Sequence, residues 1–248
     1  MEQKIYRTNK EEVLRKLQEV DTLVFDLDNT LVSFERGYPF LERSGSWTVS
    51  EYLAGLHNEE GFRELIEEYF KLIKIEGKEK ELETVQSKLD AFWKGKSVER
   101  LKQGLFPAPY YNGVKEFFRR VRDSERKYFL AIISSGPSFF VEDIAKELGV
   151  DFWEACMCEV DDKGRLTGKF SSNGIYGKGK SLRELCRRFS RDLGRTVYHG
   201  DHDYDREALE AANIGIAFSP FGGLEGEVAK AADVVIYDWR QHPLLELL

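Results

Sequence analysis

The sequence is poor in cysteine and contains no long hydrophobic run. Its three cysteines, Cys156, Cys158 and Cys186, are odd in number and include no C-x-x-C pair, which argues against a disulfide framework and against a zinc site. The longest apolar run, YFLAII, is far too short to span a bilayer. The charged N-terminus has no apolar signal core. We therefore expect a soluble, cytoplasmic protein with reduced thiols and no membrane partner.

The sequence also lacks a surplus of basic charge. The 37 Lys and Arg residues are outnumbered by 44 Asp and Glu, which gives a net charge of −7. Proteins that bind nucleic acids normally present a basic surface, so we expect no nucleic-acid partner. Hydrophobic residues make up 42% of the 248 residues, which is enough for one sizeable domain or for a core domain with an insertion.

Strand-like and helix-like patterns alternate along most of the chain. The strand-like runs are TLVFDL (22–27), FLAII (129–133), TVYHGD (196–201), IGIAF (214–218) and DVVIYD (233–238). The segment EACMCEVDDKGRLTGKF has turn residues between two strand-like runs and is typical of a hairpin. The alternation predicts an α/β fold with a doubly wound, mostly parallel sheet.

Residues 33–106 interrupt this alternation with helical patterns alone. Apolar residues recur at helical spacing from Phe62 to Ile73 and from Leu82 to Trp93, and the Pro-Ala-Pro at 107–109 ends the segment. We predict a core domain made of residues 1–32 and 107–248, and an inserted helical domain made of residues 33–106.

Polar side chains follow three of the predicted strands. Asp26 and Asp28 come at the end of the first; Ser134, Ser135 and Gly136 follow the second; Asp201, Asp203 and Asp205 follow the third. Ligands of doubly wound sheets bind beyond the carboxyl ends of the strands, and crowded carboxylates need a cation. Oxygen ligands of this kind suit Mg²⁺. Asp26 is placed to act as a nucleophile and Asp28 as a general acid and base.

An EF-hand loop is a competing interpretation of these carboxylates. Such a loop needs Gly at its sixth position and Glu at its twelfth. The segment that begins at Asp26 has Leu31 and Gly37 there, and the segment that begins at Asp201 has Arg206 and Ala212. Neither segment is an EF-hand.

The segment GIYGKGKS (174–181) matches the phosphate-loop pattern G-x-x-x-x-G-K-[ST]. A true phosphate loop follows a buried strand and opens a helix, usually in the first unit of its domain. Here the preceding residues, KFSSN, contain no buried apolar run, and too few residues follow to complete such a sheet. We therefore predict that this chain has no nucleotide loop.

Four short motifs occur in order along the chain: DLDNTL at 26–31, AIIS at 131–134, a lysine before a helical pattern with Lys178 as the best fit, and GDHDYD at 200–205. Together they resemble the motifs of the haloacid-dehalogenase-like (HAD) superfamily, in particular its phosphoserine-phosphatase-like branch. The first motif, D-x-D-x-[TV]-[LV], is matched in full. The similarity extends from Thr22 to about Asp238.

The resemblance implies Mg²⁺-dependent phosphoryl transfer through an aspartyl-phosphate. Asp26 would attack phosphorus, and Asp28 would act as acid and base. Ser134 and Lys178 would hold the phosphate oxygens, and Ser135 and Gly136 would bind the substrate beside them. The metal ligands would be Asp26, Asp201 and the backbone carbonyl of Asp28, and Asp205 would support them without binding the metal directly.

The helical segment after the first motif resembles the C1 cap of the family, which closes over the substrate. Glu35 stands where phosphoserine phosphatases place a carboxylate that contacts the substrate amine, and Arg63 is a candidate for binding the substrate carboxylate. His202 and Tyr204 depart from the small residues that those enzymes usually carry in the fourth motif. The motifs therefore do not define which residues form the substrate pocket.

The leading hypothesis is a hydrolase of small-molecule phosphomonoesters, with phosphoserine as the first substrate to test. The alternatives are a phosphoglycolate-type phosphatase or a phosphomutase on the same core, and a regulatory protein that binds phosphate without turnover. The sequence leaves the oligomeric state and the physiological substrate open.

Overall fold

The apolar runs of the sequence form the strands of a single sheet in the computed structural model, which describes residues 4–34, 45–72, 75, 77–171, 177–222 and 227–248. The strands are β1 (Ile5–Tyr6), β2 (Thr22–Phe25), β3 (Phe129–Pro137), β4 (Phe152–Val160), β5 (Leu166–Ser171), β6 (Thr196–Gly200), β7 (Ile214–Phe218) and β8 (Val234–Ile236). Their order across the sheet is β1-β8-β7-β6-β2-β3-β4-β5. Only the outer pairs, β1 with β8 and β4 with β5, are antiparallel within the described chain. The predicted α/β class with a mostly parallel sheet is confirmed, and so is the predicted hairpin, which is β4 and β5.

Helices cover both faces of this sheet. They are α1 (Lys10–Leu17), α2 (Ser46–Leu53), α3 (Phe62–Leu72), α4 (Glu79–Trp93), α5 (Val98–Leu105), α6 (Val114–Asp123), α7 (Ser138–Leu148), α8 (Lys178–Arg188), α9 (Arg206–Ala211) and α10 (Glu227–Ala231). Because successive side chains of a strand point to opposite faces, Leu23 and Phe25 join one buried cluster and Val24 joins the other. None of the helices in the described residues is long and apolar enough to cross a membrane.

Helices α2 to α5 lie between β2 and β3, in the segment where the sequence predicts an inserted domain. Their buried residues, among them Val49, Leu101 and Leu105, belong to the same hydrophobic cluster as Phe25 and Leu27 of the core. The helical segment is therefore packed on the core through a continuous apolar contact. Its division at residues 33 and 106 stays a prediction.

Two buried histidines lie beneath the site, in the core. The Nε2 atoms of His199 and His242 are 2.8 Å apart, and Nδ1 of His199 is 2.8 Å from the carbonyl oxygen of Val24. Nδ1 of His242 accepts the backbone N–H of Leu244. One set of neutral tautomers satisfies all three contacts: His199 donates from Nδ1 and His242 donates from Nε2. Burial lowers the pKa of His199 to about 3 and the pKa of His242 well below its usual value.

Candidate active site

Parallel register brings two carboxylates to the same edge of the sheet. Phe25 of β2 pairs with His199 of β6, and the N–H of Asp26 donates to the carbonyl of His199 at 2.9 Å. Both strands therefore end at the same level, where Asp26 continues one and Asp201 the other. The carboxylates of Asp26, Asp201 and Asp205 do lie together, whereas Asp203 is exposed and accepts the N–H of Val228.

A tight turn after β2 positions the next motif residues. Asn29 has a φ of 61°, a left-handed conformation that Asn tolerates better than most residues. The turn buries Thr30, whose hydroxyl donates to Asp201 Oδ1 at 2.9 Å and lies 3.4 Å from Asp26 Oδ2. Thr30 thus links the two carboxylates. It was part of the predicted motif, but not of the predicted site.

Lys178, the first residue of α8, lies between two buried carboxylates. Its Nζ is 2.6 Å from Asp26 Oδ1 and 2.8 Å from Asp205 Oδ1. Lys180 is 79% exposed, and its nearest carboxylate is that of Glu184 at 3.8 Å. Of the two lysines in the GKGKS segment, the fold brings Lys178 to the carboxylates and leaves Lys180 in solvent.

Asp205 is fully buried and accepts hydrogen bonds on both oxygens. Oδ1 accepts from Lys178 and, at 2.9 Å, from the hydroxyl of Tyr198. Oδ2 accepts the backbone N–H groups of Asp201 and His202, both at 3.2 Å. Both oxygens of Asp205 are thus used to hold Lys178 and the backbone of the loop that contains Asp201.

Gly200 makes room for this arrangement. A Cβ atom there would lie 2.3 Å from Asp205 Cγ, far inside any van der Waals contact. The glycine of the G-D-x-x-x-D motif is therefore required by the close approach of the Asp205 side chain.

The buried charges perturb one another. Burial raises the pKa of Asp26 to about 7; Asp205 and Asp28 add to the rise, and Lys178 opposes it. Burial also raises the pKa of Asp201 well above its usual value, with Asp26 and Asp205 adding to it. Burial alone lowers the pKa of Lys178, but the carboxylates of Asp205 and Asp26 raise it by more. One lysine thus faces more negative charge than it neutralises.

This excess of carboxylates fits a divalent cation. Oxygen atoms of Asp26, Asp201 and Asp205 lie within 4.8 Å of one another, and hard cations such as Mg²⁺ bind oxygen ligands. In the described part of the chain, Asp201 accepts a single side-chain hydrogen bond, from Thr30. Asp201 is therefore better placed as a ligand than Asp205, each of whose oxygens accepts two hydrogen bonds.

The end of β3 brings the predicted hydroxyls to the same edge. The pairing of β3 with β4 shifts register between Ile133 and Pro137, and such irregularities re-aim side chains at strand ends. The buried Ser134 hydroxyl accepts the N–H of Gly136 at 2.9 Å. Ser135 lines a cavity between the sheet and the helical segment.

That cavity has a volume of about 480 Å³ and is lined mainly by the helical segment. Its aromatic lining residues are Trp47, Tyr69, Phe70, Trp93 and Phe170, and its acidic ones are Glu51, Glu83 and Asp90. Among the described lining residues there is no Lys, Arg or His. Burial raises the pKa of Asp90.

The Asp28 carboxylate lies at the boundary between core and helical segment. It accepts two hydrogen bonds from Ser46, the first residue of α2: from the backbone N–H at 2.8 Å and from Oγ at 2.7 Å. Burial raises the pKa of Asp28, and the bonds from Ser46 oppose this rise. The adjacent Trp47 donates from Nε1 to the carbonyl of Ser135 at 2.9 Å.

Two predicted substrate-binding residues do not gain support from this geometry. Glu35 lies outside the described residues. Arg63 is exposed on α3 and is not among the residues that line the cavity. Both assignments stay predictions, and so does the absence of a nucleotide loop, because residues 174–176 also lie outside the described part.

Sequence reasoning missed Thr30, Tyr198 and Ser46 as parts of the site. Tyr198 carries a usable signal, because it is a polar residue within a buried apolar strand and so needs a buried partner. Thr30 carries only its place in the first motif. Ser46 carries none in its own neighbourhood, since a serine at the start of a helix is typical of capping alone.

Comparisons with known proteins agree with the motifs. The model of the haloacid dehalogenase-like hydrolase family matches residues 23–210. A phosphoserine phosphatase of Archaeoglobus fulgidus is 29% identical over 79% of this chain and 52% of its own length. One from Saccharomyces cerevisiae is also 29% identical, over 79% of this chain and 58% of its own. This chain thus spans little more than half the length of these relatives.

Solved structures share the fold. A substrate-bound phosphoserine phosphatase complex superposes with a TM-score of 0.66 at 22% identity, over 92% of this chain and 98% of the other. The family model covers three quarters of the chain and includes the first, second and fourth motifs as well as Lys178. The chain therefore belongs to the haloacid dehalogenase-like hydrolases, in the branch that resembles the phosphoserine phosphatases.

Proposed function

We propose that this protein is a Mg²⁺-dependent phosphatase that hydrolyses a small-molecule phosphomonoester through a phosphorylated Asp26. The observation that carries the proposal is the buried Asp26 carboxylate, 2.6 Å from Lys178, with Asp28 and Asp201 from the same edge of the sheet beside it. A carboxylate nucleophile, a fixed positive charge and a separate acid are the groups that phosphoryl transfer through a covalent intermediate requires.

The residues act in a defined order. An oxygen of Asp26 forms a bond to phosphorus while the bond from phosphorus to the leaving oxygen breaks, and Asp28 gives its proton to that oxygen. Asp28 then accepts a proton from water as the water oxygen attacks phosphorus and releases Asp26. Lys178 and Ser134 hold the negative oxygens of the phosphoryl group through both steps.

The magnesium ion would be held by the side chains of Asp26 and Asp201 and by the backbone carbonyl of Asp28. When bound, the ion neutralises the crowded carboxylates and stabilises charge on the phosphoryl oxygens. Asp205 supports this site indirectly, because its bonds to Lys178 and to the loop of Asp201 keep both in place.

The residues that line the cavity indicate which chemical groups the substrate carries. Phosphoserine is the first substrate to test because the curated relatives are phosphoserine phosphatases. The described cavity lining contains carboxylates and aromatic rings, which favour an ammonium group. The carboxylate of phosphoserine would therefore have to be met by residues outside the described lining. A comparison of phosphoserine with phosphoethanolamine, which carries the ammonium alone, measures how much that carboxylate contributes.

The deciding experiment is hydrolysis of 4-nitrophenyl phosphate with Mg²⁺ and with EDTA, followed by a panel of phosphorylated metabolites. We expect 4-nitrophenyl phosphate to be hydrolysed with Mg²⁺ and not with EDTA. We also expect at least one metabolite of the panel to be hydrolysed with a higher kcat/KM than 4-nitrophenyl phosphate. Preference for phosphoglycolate, or transfer of phosphate between hydroxyls of a sugar, would redirect the assignment to one of the two alternative enzymes. Phosphate binding without any turnover would leave a regulatory protein and refute the proposal.

A further inference from the structure

The Asp28 carboxylate is held by the helical segment rather than by the sheet. Its oxygens accept from Ser46, Oδ1 from the backbone N–H at 2.8 Å and Oδ2 from the hydroxyl at 2.7 Å. Ser46 is fully buried, although it lies eighteen positions from Asp28 at the start of a helix. Both oxygens of the carboxylate are therefore oriented by one residue.

The neighbouring residues leave space for this contact and little more. A Cβ atom on Gly136 would lie 2.8 Å from Ser46 Oγ and 3.3 Å from Asp28 Oδ2. A Cβ atom on Gly45 would lie 3.7 Å from the same carboxylate. Gly136 near the end of β3 and Gly45 directly before α2 thus flank the pair, so that Asp28 has little freedom while α2 is in place.

A third hydrogen bond, made by the residue after Ser46, holds α2 against the site. The indole of Trp47 donates to the carbonyl of Ser135 at 2.9 Å, and its ring contacts Trp93 and Phe170, with centroids 5.1 and 5.6 Å away. The start of α2 therefore touches both the Asp28 carboxylate and the end of β3. Movement of α2 away from the sheet would break all three hydrogen bonds at once.

A general acid needs a fixed direction toward the oxygen that it protonates. A serine hydroxyl can donate to a carboxylate and can accept from a carboxylic acid, so the contact of Ser46 can persist through proton transfer. We propose that Ser46 is a positioning residue that orients Asp28 for proton transfer to the leaving group, and that this orientation exists only while α2 lies on the core. The proposal rests on the phosphatase function proposed above.

Leaving-group dependence is the readout that separates this role from a structural one. An alkyl phosphomonoester has a poor leaving group and needs the acid, whereas 4-nitrophenolate leaves readily without a proton. Because kcat/KM reports the steps up to the release of the leaving group, it should reveal the loss of acid orientation for the alkyl ester alone. Asp28→Asn sets the upper limit of the effect, about 10²–10⁴-fold for the alkyl ester.

The test compares Ser46→Ala with Ser50→Ala. Ser50 lies one turn further along α2, is also fully buried, and its Oγ has no hydrogen-bond partner within the described residues. We expect Ser46→Ala to lower kcat/KM for the alkyl ester about tenfold and for 4-nitrophenyl phosphate less than about threefold. Ser50→Ala should change neither value, and in the Asp28→Asn background Ser46→Ala should cause no further loss.

Other outcomes overturn the proposal. Equal losses for both esters would show a structural role, and an unchanged alkyl rate would show no role at all. Should Ser46→Ala fail to fold, Ser46→Cys replaces it, because the thiol fills nearly the same volume but is only a weak donor to the Asp28 carboxylate and should give the same selective loss. A wild-type protein that hydrolyses neither ester would refute the proposed function and this role with it, whereas an active wild type with an insensitive Ser46→Ala would refute this role alone.

Discussion

The sheet side and the helical side of the candidate site hold their polar groups by different means. On the sheet side, Asp26 and Asp201 continue paired strands. Lys178 forms an ion pair with Asp26, and the Thr30 hydroxyl donates to Asp201. On the helical side, two bonds from Ser46 to Asp28 and one from Trp47 to Ser135 make the contact.

The two sides should therefore differ in role: the sheet side holds the groups that react, and the helical side holds the groups that orient them. A nucleophile at the end of a buried strand moves only if the sheet moves, because the ladder of backbone hydrogen bonds fixes its position. A helix end that adheres through three hydrogen bonds and an apolar contact can part from the core at much lower cost. The sheet side should therefore carry the largest effects on rate, and the helical side should modulate them.

The most severe test of the sheet side is Asp26→Asn. The amide is neither a nucleophile nor a good Mg²⁺ ligand, so less than about a hundredth of the wild-type rate should remain. Thermal unfolding should show that the fold persists. Asp162→Asn, on the exposed hairpin turn, is the matched control and should keep full activity. More than a hundredth of the rate in Asp26→Asn would exclude covalent catalysis at this residue.

The two lysines of the GKGKS segment give the next largest contrast. Lys178→Met removes the charge beside Asp26 and should lower kcat/KM at least tenfold, since a charge-assisted contact to phosphate contributes about 1.5–3 kcal/mol. Lys180→Met, on the exposed side of the same helix, should change it little. Steady-state kinetics and ATP titration measure both. The reverse order together with ATP binding would favour the phosphate-loop interpretation.

A smaller effect should come from the helical side. Trp47→Phe keeps an aromatic ring against Trp93 and Phe170 but removes the donor to the carbonyl of Ser135. We expect a loss of roughly threefold to tenfold in kcat/KM, in keeping with one hydrogen bond. A loss as large as that of Lys178→Met would contradict the view that the helical side only modulates the rate.

The smallest effect on rate should come from the histidine pair under the sheet side, where the readout is stability. The folded protein keeps His199 and His242 neutral at a pH at which the unfolded chain would protonate them, because burial lowers both pKa values. Below the unfolded pKa of about 6.5 the unfolded chain binds more protons, so each histidine destabilises the fold by up to about 1.4 kcal/mol per pH unit.

His242→Gln tests this pair because the side-chain amide can donate to His199 without titrating. The free energy of unfolding of the variant, minus that of the wild type, should be constant above about pH 7 and should rise as the pH falls below about 6.5. Urea unfolding at several pH values provides the measurement. A difference that stays flat across that range would show that His242 is not held neutral by its burial.

Several features of the fold and site follow from short segments. Continuous apolar runs predicted the central strands, and the antiparallel hairpin of β4 and β5 followed from its turn residues. The carboxylates at the strand ends were predicted to lie together because parallel strands end at one edge of a sheet. The edge strand β1 was missed, since two residues carry no periodicity.

The identity of the lysine needed more than the pattern. Lys178 and Lys180 are two positions apart and equally basic, and the pattern favoured Lys178 only because the family motif fits it better. Residues two apart on a helix point in different directions, and the packing of α8 turns Lys178 inward and Lys180 outward. An arginine that binds the substrate carboxylate was expected in the helical segment. Arg63, the candidate, lies on the exposed side of α3.

The sequence by itself determined the sheet, the order of its helices and the groups that come off its strand ends, because these depend on local periodicity and on the geometry of parallel strands. Tertiary structure alone decided that Ser46 meets Asp28, that Trp47 meets Ser135, and that His242 meets His199. Each of these contacts joins residues far apart in the chain, and the docking of one packed element on another sets it. No local pattern encodes the angle and register of that docking.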